Sequence, residues 1–288
     1  MANTLVATGL EQLASAMVAG LYDGGVLVNT IYRDAESDLV VGKGDTVSIR
    51  EPLVTAAANF GATAVIGNIV EAKIAVAINK QPYSQVQLTA KEKTLLIEDL
   101  AAEVVLPQVA GIIEFIDGDI AALLGTTTGV AGATTALGWG VAVANARAVL
   151  TANKVPSSDR YLACSPDVVS ALLLGNIVTS WANPSAPSAL QEGVVGRLFG
   201  MTVVESADVP TGTAYAYHKT GVAGVFRTPV PPSGGAMVGS ASLRGMSAQV
   251  IYAYDSTRLA DTITAHTLYG LGTSDSSFDE RVLKVTLS

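Results

Sequence analysis

Few side chains in this sequence are able to do chemistry, and their spacing argues against it. There is one cysteine, Cys164, and there are two histidines, His218 and His266, far apart in the chain. A cysteine–histidine pair would give a thiolate nucleophile. Cys164, however, closes the apolar run Tyr161-Leu162-Ala163 directly before Ser165-Pro166, which reads as a buried strand end, and free cysteine is commonly a small buried hydrophobe. One cysteine also excludes an internal disulfide and a cysteine-based zinc site. Glu114, Asp117 and Asp119 have the type for acid–base work. At helical spacing 114 and 117 share a face and 119 points elsewhere, so a solvated or inter-subunit face is expected there. Asp34, Glu36 and Asp38 alternate like the start of a calcium loop but lack its glycine and closing glutamate. No zinc-protease, serine-hydrolase, Walker or dinucleotide-binding pattern occurs. No catalytic residue, metal or cofactor is therefore expected.

The elements that would position these groups carry more information. Thr46–Arg50 alternates apolar and polar residues; Ile74, Val76 and Ile78, then Val86 and Leu88, do the same. Period two gives each arm one apolar face. The two arms of 46–88 thus read as an extended ribbon around a Gly/Ala/Asn-rich middle. A two-stranded ribbon is marginal in water by itself, and no helix lies inside this stretch to cover it. Its apolar face is expected to pack on something else, and a second copy of the chain would serve. Ile74, Val76 and Ile78 are the candidate inter-subunit contacts on that face, with Arg50, Glu51, Lys73 and Lys80 setting register at the rim.

Bulk composition points the same way. Charged residues make up 15% of the 288, against roughly 25% in a typical soluble domain, and acids exceed bases by 25 to 17. Mean hydropathy is +0.42. A membrane protein or a subunit buried in an assembly would explain this. The longest apolar segment, Leu95 to Leu124, is broken by Glu98, Asp99, Glu103, Glu114, Asp117 and Asp119, whereas a spanning helix needs about 20 apolar residues in a row. Met1-Ala2-Asn3-Thr4 lacks a basic, apolar leader, so a product retained in the cytoplasm is expected. The net charge of −8 and the scattered lysines and arginines leave only weak, non-specific contact with nucleic acid.

Along the chain, Leu5–Leu21 reads as a first helix with Leu10, Leu13, Ala14, Met17, Val18 and Leu21 on one side, ended by Asp23-Gly24-Gly25. A short strand is expected at Thr30–Asp34. Thr89-Ala90-Lys91-Glu92 fits a capping box. One long, bent helix is expected over 94–124, with Pro107 at a kink or a fresh start. Gly125–Ala133 reads as a linker, followed by a helix to Ala152, a strand at Arg160–Cys164 and a helix started by Ser165-Pro166-Asp167. Further strands are expected at Gly200–Glu205, Thr213–Tyr217, Val222–Arg227, Ala248–Tyr254, Asp261–Tyr269 and Arg281–Leu287, and loops at Trp181–Pro187 and Pro229–Gly235.

This α+β order, with Val41-Gly42-Lys43-Gly44-Asp45 entering the ribbon, Ile97-Glu98-Asp99 before the long helix, Ile116-Asp117-Gly118-Asp119-Ile120 within it, and Gly200–Ser206 and His266–Gly270 late in the chain, resembles the major capsid proteins of tailed bacteriophages with the Hong Kong-type fold. The resemblance spans nearly the whole chain. It implies an N-terminal arm at 1–45, an extended loop at 46–88 reaching over a neighbour, a spine helix and peripheral domain at 89–129, an axial domain at 130–240, and C-terminal strands at 241–288 returning to the peripheral domain. It further implies pentamers and hexamers in an icosahedral head around double-stranded DNA, with a separate scaffolding protein, a portal protein and decoration proteins as partners. Some shells of this fold cross-link a loop lysine to a neighbour; for Lys73 and Lys80 ordinary salt bridges or solvent exposure are expected. An encapsulin-like nanocompartment shell is the first alternative, and a hydrolase with an unrecognised site the second.

Overall fold

The computed structural model describes residues 5–33, 46–50, 73–89, 101–135, 138–174, 196–232, 236–257, 260–273 and 278–287. Helix α1, Leu5–Gly24, turns Ala14, Met17, Val18 and Leu21 inward, as their three- and four-residue steps require. After Gly25 a single 3-10 turn, Val28–Thr30, follows. The strand expected at Thr30–Asp34 reduces to one parallel bridge, Tyr32 with Ala223, because the turn already uses Thr30; Asp34, Glu36 and Asp38 lie outside the described residues.

Strands β1, Thr46–Arg50, and β2, Lys73–Ala77, form an antiparallel pair with Val47 opposite Val76 and Ile49 opposite Ile74. The second arm does not continue as one strand. It breaks around Pro82, which has no N–H to donate, and β3, Tyr83–Thr89, departs to another sheet. The capping box past Thr89 lies outside the described residues. A π-helical turn, Ala101–Val105, leads into helix α2, Leu106–Leu124, with Pro107 in its first turn, where a missing N–H costs nothing.

Gly125–Ala133 is not wholly linker. It ends in β4, Val130–Ala133, parallel to the last strand; a Cβ on Gly132 would stand 2.7 Å from the Thr286 carbonyl oxygen, so the same small residues that look like linker permit close strand approach. Helix α3 is Gly138–Ala152, β5 Arg160–Cys164 and α4 Pro166–Leu174. Trp181–Pro187 is outside the described residues. Next come β6 (Arg197–Leu198), β7 (Met201–Glu205), β8 (Ala214–His218), β9 (Val222–Arg227), β10 (Met237–Leu243) and β11 (Met246–Asp255). The single strand expected at Asp261–Tyr269 is two, β12 (Ala260–His266) and β13 (Leu268–Thr273), divided at Thr267, whose hydroxyl donates to the Ser247 carbonyl. A short helix α5, Phe278–Arg281, precedes β14, Val282–Leu287.

Among the described residues there are four sheets: β1-β2, β10-β11-β12-β3, β13-β9 and the mixed β4-β14-β8-β5-β7-β6. Strand β14 does not stay beside β11 and β12 but crosses into the six-stranded sheet. That sheet divides two cores. Along β8, Tyr215 and Tyr217 face the core shared with α1 and α2, while Ala214 and Ala216 face the one shared with α3 and α4. Period two along one fully buried strand thus serves both sides, the large residues on one and the small on the other.

Candidate assembly interface

Val47, Ile49, Ile74 and Val76 line the inner face of the β1-β2 ribbon, and all are buried. Their cover is Ala223 and Val225 of β9, in the same subunit. The face does pack on something outside the ribbon, as expected, and within the subunit that something is β9. Fully burying each such side chain is worth about 1.5–3 kcal/mol, and that burial is supplied internally. Strand β13 makes room for it. A Cβ on Gly270 would sit 2.2 Å from the Ala77 carbonyl oxygen, and one on Gly272 would sit 2.7 Å from Val76 Cγ2. These alternate glycines, Gly270 and Gly272, were the sequence signal for a backbone-close partner strand. Ile78 is partly buried at the edge of the same cluster. Glu51 and the loop middle, 51–72, lie outside the described residues, as do the side chains of Arg50 and Lys73.

Lys80 is described fully. Its backbone exchanges hydrogen bonds with Tyr269, N–H to O at 3.1 Å and 3.0 Å in return. Its ammonium lies 2.6 Å from Asp119 Oδ2, which also accepts the Tyr269 hydroxyl. Lys80 therefore pins the base of the ribbon to α2 and β13 by an ordinary salt bridge.

The acids of α2 behave differently from a solvated face. Glu114 is exposed, but Asp117 is 3% exposed and accepts Val26 N–H at 2.8 Å and Val28 N–H at 2.9 Å. Burial raises its pKa, and the backbone N–H groups oppose the rise. The expected solvent or inter-subunit role of Asp117 and Asp119 is corrected: both close contacts within the subunit. The reason is the turn after α1, where the N–H groups of Val26 and of Val28, the first residue of the 3-10 turn, are directed at the Asp117 carboxylate, which accepts both. Beside it, Thr30 Oγ1 and the buried Tyr217 hydroxyl share a hydrogen bond at 2.5 Å.

Cys164 is fully buried, and burial first, then Glu205 and Asp167, pushes its thiol up to about 12. It is a core residue without nucleophilic character at neutral pH. His266 is buried between Gln249 Oε1, 2.9 Å from Nε2, and Gln81 Nε2, 3.0 Å from Nδ1. His218 Nδ1 lies 2.8 Å from Thr220 Oγ1. Among the described residues no three His, Cys, Asp or Glu side chains converge as metal ligands. No described helix is long and apolar enough to cross a membrane.

One constellation escaped the sequence reading. Arg147 and Thr151 of α3, Lys154 and Ser157 of the following turn, Arg160 of β5 and Phe199 line a concave groove. Arg160 is 4% exposed. Its guanidinium donates to Pro156 O at 2.7 Å, Val155 O at 2.5 Å and Thr151 Oγ1 at 3.1 Å. All three acceptors are neutral.

A sequence model described as phage capsid protein matches residues 94–273. The chain belongs to that family. Its role is structural, and it is a tailed-phage major capsid protein of the Hong Kong-type fold. Solved structures agree on the fold over nearly its whole length. The Mycobacterium phage Che8 structure is 18% identical with a TM-score of 0.65, covering 91% of this chain and 90% of that one. The capsid of Ralstonia phage GP4 is 12% identical with a TM-score of 0.63, covering 90% and 87%. A virus-like particle from Pyrococcus furiosus is 11% identical with a TM-score of 0.53, covering 96% and 98%. No curated protein matches the capsid chain in sequence.

Proposed function

We propose that this capsid protein assembles into pentamers and hexamers that join as an icosahedral head enclosing double-stranded DNA. The family match over residues 94–273 carries this reading. The low charge of 15% supports it, since surface wet in the isolated subunit becomes dry in an obligate interface. Head-to-tail contacts between identical subunits close into rings when the rotation fits. In this reading the N-terminal arm is 1–45, the extended loop 46–88 reaches over a neighbour, and α2 is the spine of the peripheral domain. The axial domain is 130–240, which holds α3, α4 and most of the six-stranded sheet, and the C-terminal strands at 241–288 return to the peripheral domain, except that β14 pairs into the six-stranded sheet. Arg50, Glu51, Lys73, Ile78 and the partly exposed Lys80 remain the loop's candidate contacts, while Ile74 and Val76 hold the loop base to its own subunit.

A separate scaffolding protein, a portal and decoration proteins complete the head, which assembles in the host cytoplasm. The acid excess keeps the inner wall from gripping DNA, so contact with the genome is weak and non-specific. Size exclusion and negative-stain microscopy of the expressed chain, with and without a scaffold, test the reading: rings and closed shells are expected, and a stable monomer under all conditions refutes it. A second reading is an encapsulin-like shell around cargo protein, and the likeness to a virus-like particle from Pyrococcus furiosus shows that the fold also builds such particles. Nuclease-protected DNA inside purified particles decides for the first, protein cargo for the second.

A further inference from the structure

The groove beside Arg160 holds positive charge without its counterpart. Arg147, Lys154 and Arg160 line it together, and no lining side chain is acidic. Arg160 is buried, and its three recorded hydrogen bonds end on two carbonyls and a hydroxyl. Burial and then the like charge of Arg147 both oppose its charged form. A buried guanidinium is ordinarily paired, because neutral acceptors offset only part of its lost hydration. Arg147 and Lys154 are exposed at the mouth, and Phe199, 39% exposed, adds an apolar lip.

We infer that this groove is a carboxylate-binding socket that receives an Asp or Glu side chain from a second copy of the chain. The inference rests on the assembly reading above. The occupant follows from charge complementarity: with 25 acids against 17 bases, a neighbouring copy carries an excess of carboxylates to meet a groove lined by cations. A planar guanidinium matches a carboxylate geometrically, and the two mouth cations steer it in. A concave pocket with an aromatic lip admits a side chain better than the backbone of a duplex, which needs a basic stripe.

The test uses full-length protein. Shells assembled from a mixture of unlabelled and 15N-labelled subunits are treated with a carbodiimide, which joins an amine to a carboxylate at zero length. Lys154 is expected in mixed-label peptides, linked to an Asp or Glu of another subunit. Lys154 linked only within one chain, or to no carboxylate, overturns the proposal. In parallel, Arg147→Glu/Lys154→Glu, two exposed changes, is expected to leave the unassembled subunit's thermal unfolding unchanged. It should raise the concentration needed for assembly on the order of 10-fold or more, and remove most of its salt dependence. Assembly identical to wild type overturns the proposal while the shell reading stands. Loss of duplex DNA binding by the double variant, with normal assembly, assigns the groove to phosphate and likewise overturns it. Wild-type protein that never assembles refutes the shell reading, and this proposal with it.

Discussion

Asp117 and Arg160 are both buried charges, and the subunit treats them in opposite ways. Asp117 is met by two backbone N–H groups, Val26 and Val28, from the turn that follows the N-terminal helix, an anion closed off inside one chain. Arg160 donates only to neutral oxygens, and the other charged side chains that line its groove, Arg147 and Lys154, are cations. The first arrangement is what stability demands of a single subunit. The second is incomplete by the same standard, and in a capsid protein completion belongs to a neighbour. A buried charge therefore marks an internal joint or an external one according to whether its partner lies in the same chain.

The largest expected effect tests the closed joint. Asp117→Leu leaves two N–H groups buried without acceptors and should cost the unassembled subunit about 2–5 kcal/mol in urea unfolding. Asp117→Asn, which keeps one acceptor, should cost clearly less. A neutral Asp117→Leu would dissolve the comparison.

The open groove should respond more mildly. Arg160→Met loses hydrogen bonds but also removes a charge without a carboxylate, so about 1–2 kcal/mol is expected in the same measurement. A loss of about 3–5 kcal/mol would mean that a carboxylate of the same chain had been left unpaired, and the contrast with Asp117 would fail.

A pH titration sharpens the picture of the closed interior. Burial holds His266 and His218 below their ordinary 6.5. Between that folded value and 6.5 the unfolded chain binds more protons, so stability is greatest above 6.5 and declines as pH falls through this window. A charged His266 would also turn an N–H donor toward the Gln81 amide, which already donates. Unfolding of wild type and His266→Gln between pH 7.5 and 5.5 should show a shallower decline in the variant. Equal slopes would exclude His266 as a contributor.

The smallest effect belongs to Lys80. Its bridge to Asp119 is partly exposed, and Lys80→Met should change stability by about 0–1 kcal/mol. If loss of this bridge frees the loop base, limited proteolysis within 46–88 will accelerate although global stability barely changes.

Much of the fold was legible because local periodicity is written residue by residue. The stripe Ala14, Met17, Val18, Leu21 and the alternation of Val47 and Ile49 announce a helix and a strand whatever lies nearby. Val222–Arg227 was bounded correctly for the same reason. The family, too, was readable from the order of such pieces. Partners were not. Nothing local told Val76 that its cover would be Val225 rather than another subunit, since an apolar face specifies burial and not the identity of what buries it. The split of Asp261–Tyr269 at Thr267 and the passage of β14 into the six-stranded sheet arise from pairings between residues distant in sequence.

By itself, then, the sequence determined most of the helices and strands, the absence of a recognisable catalytic motif, and the capsid family, because each depends on residue type and short-range spacing. Only the tertiary structure decided where the charges went. It buried Asp117 against Val26 and Val28, tied Asp119 to Lys80 and Tyr269, and gathered Arg147, Lys154 and Arg160 into one groove. A charge is satisfied or left wanting by atoms within a few ångströms, and long-range folding alone chooses those atoms.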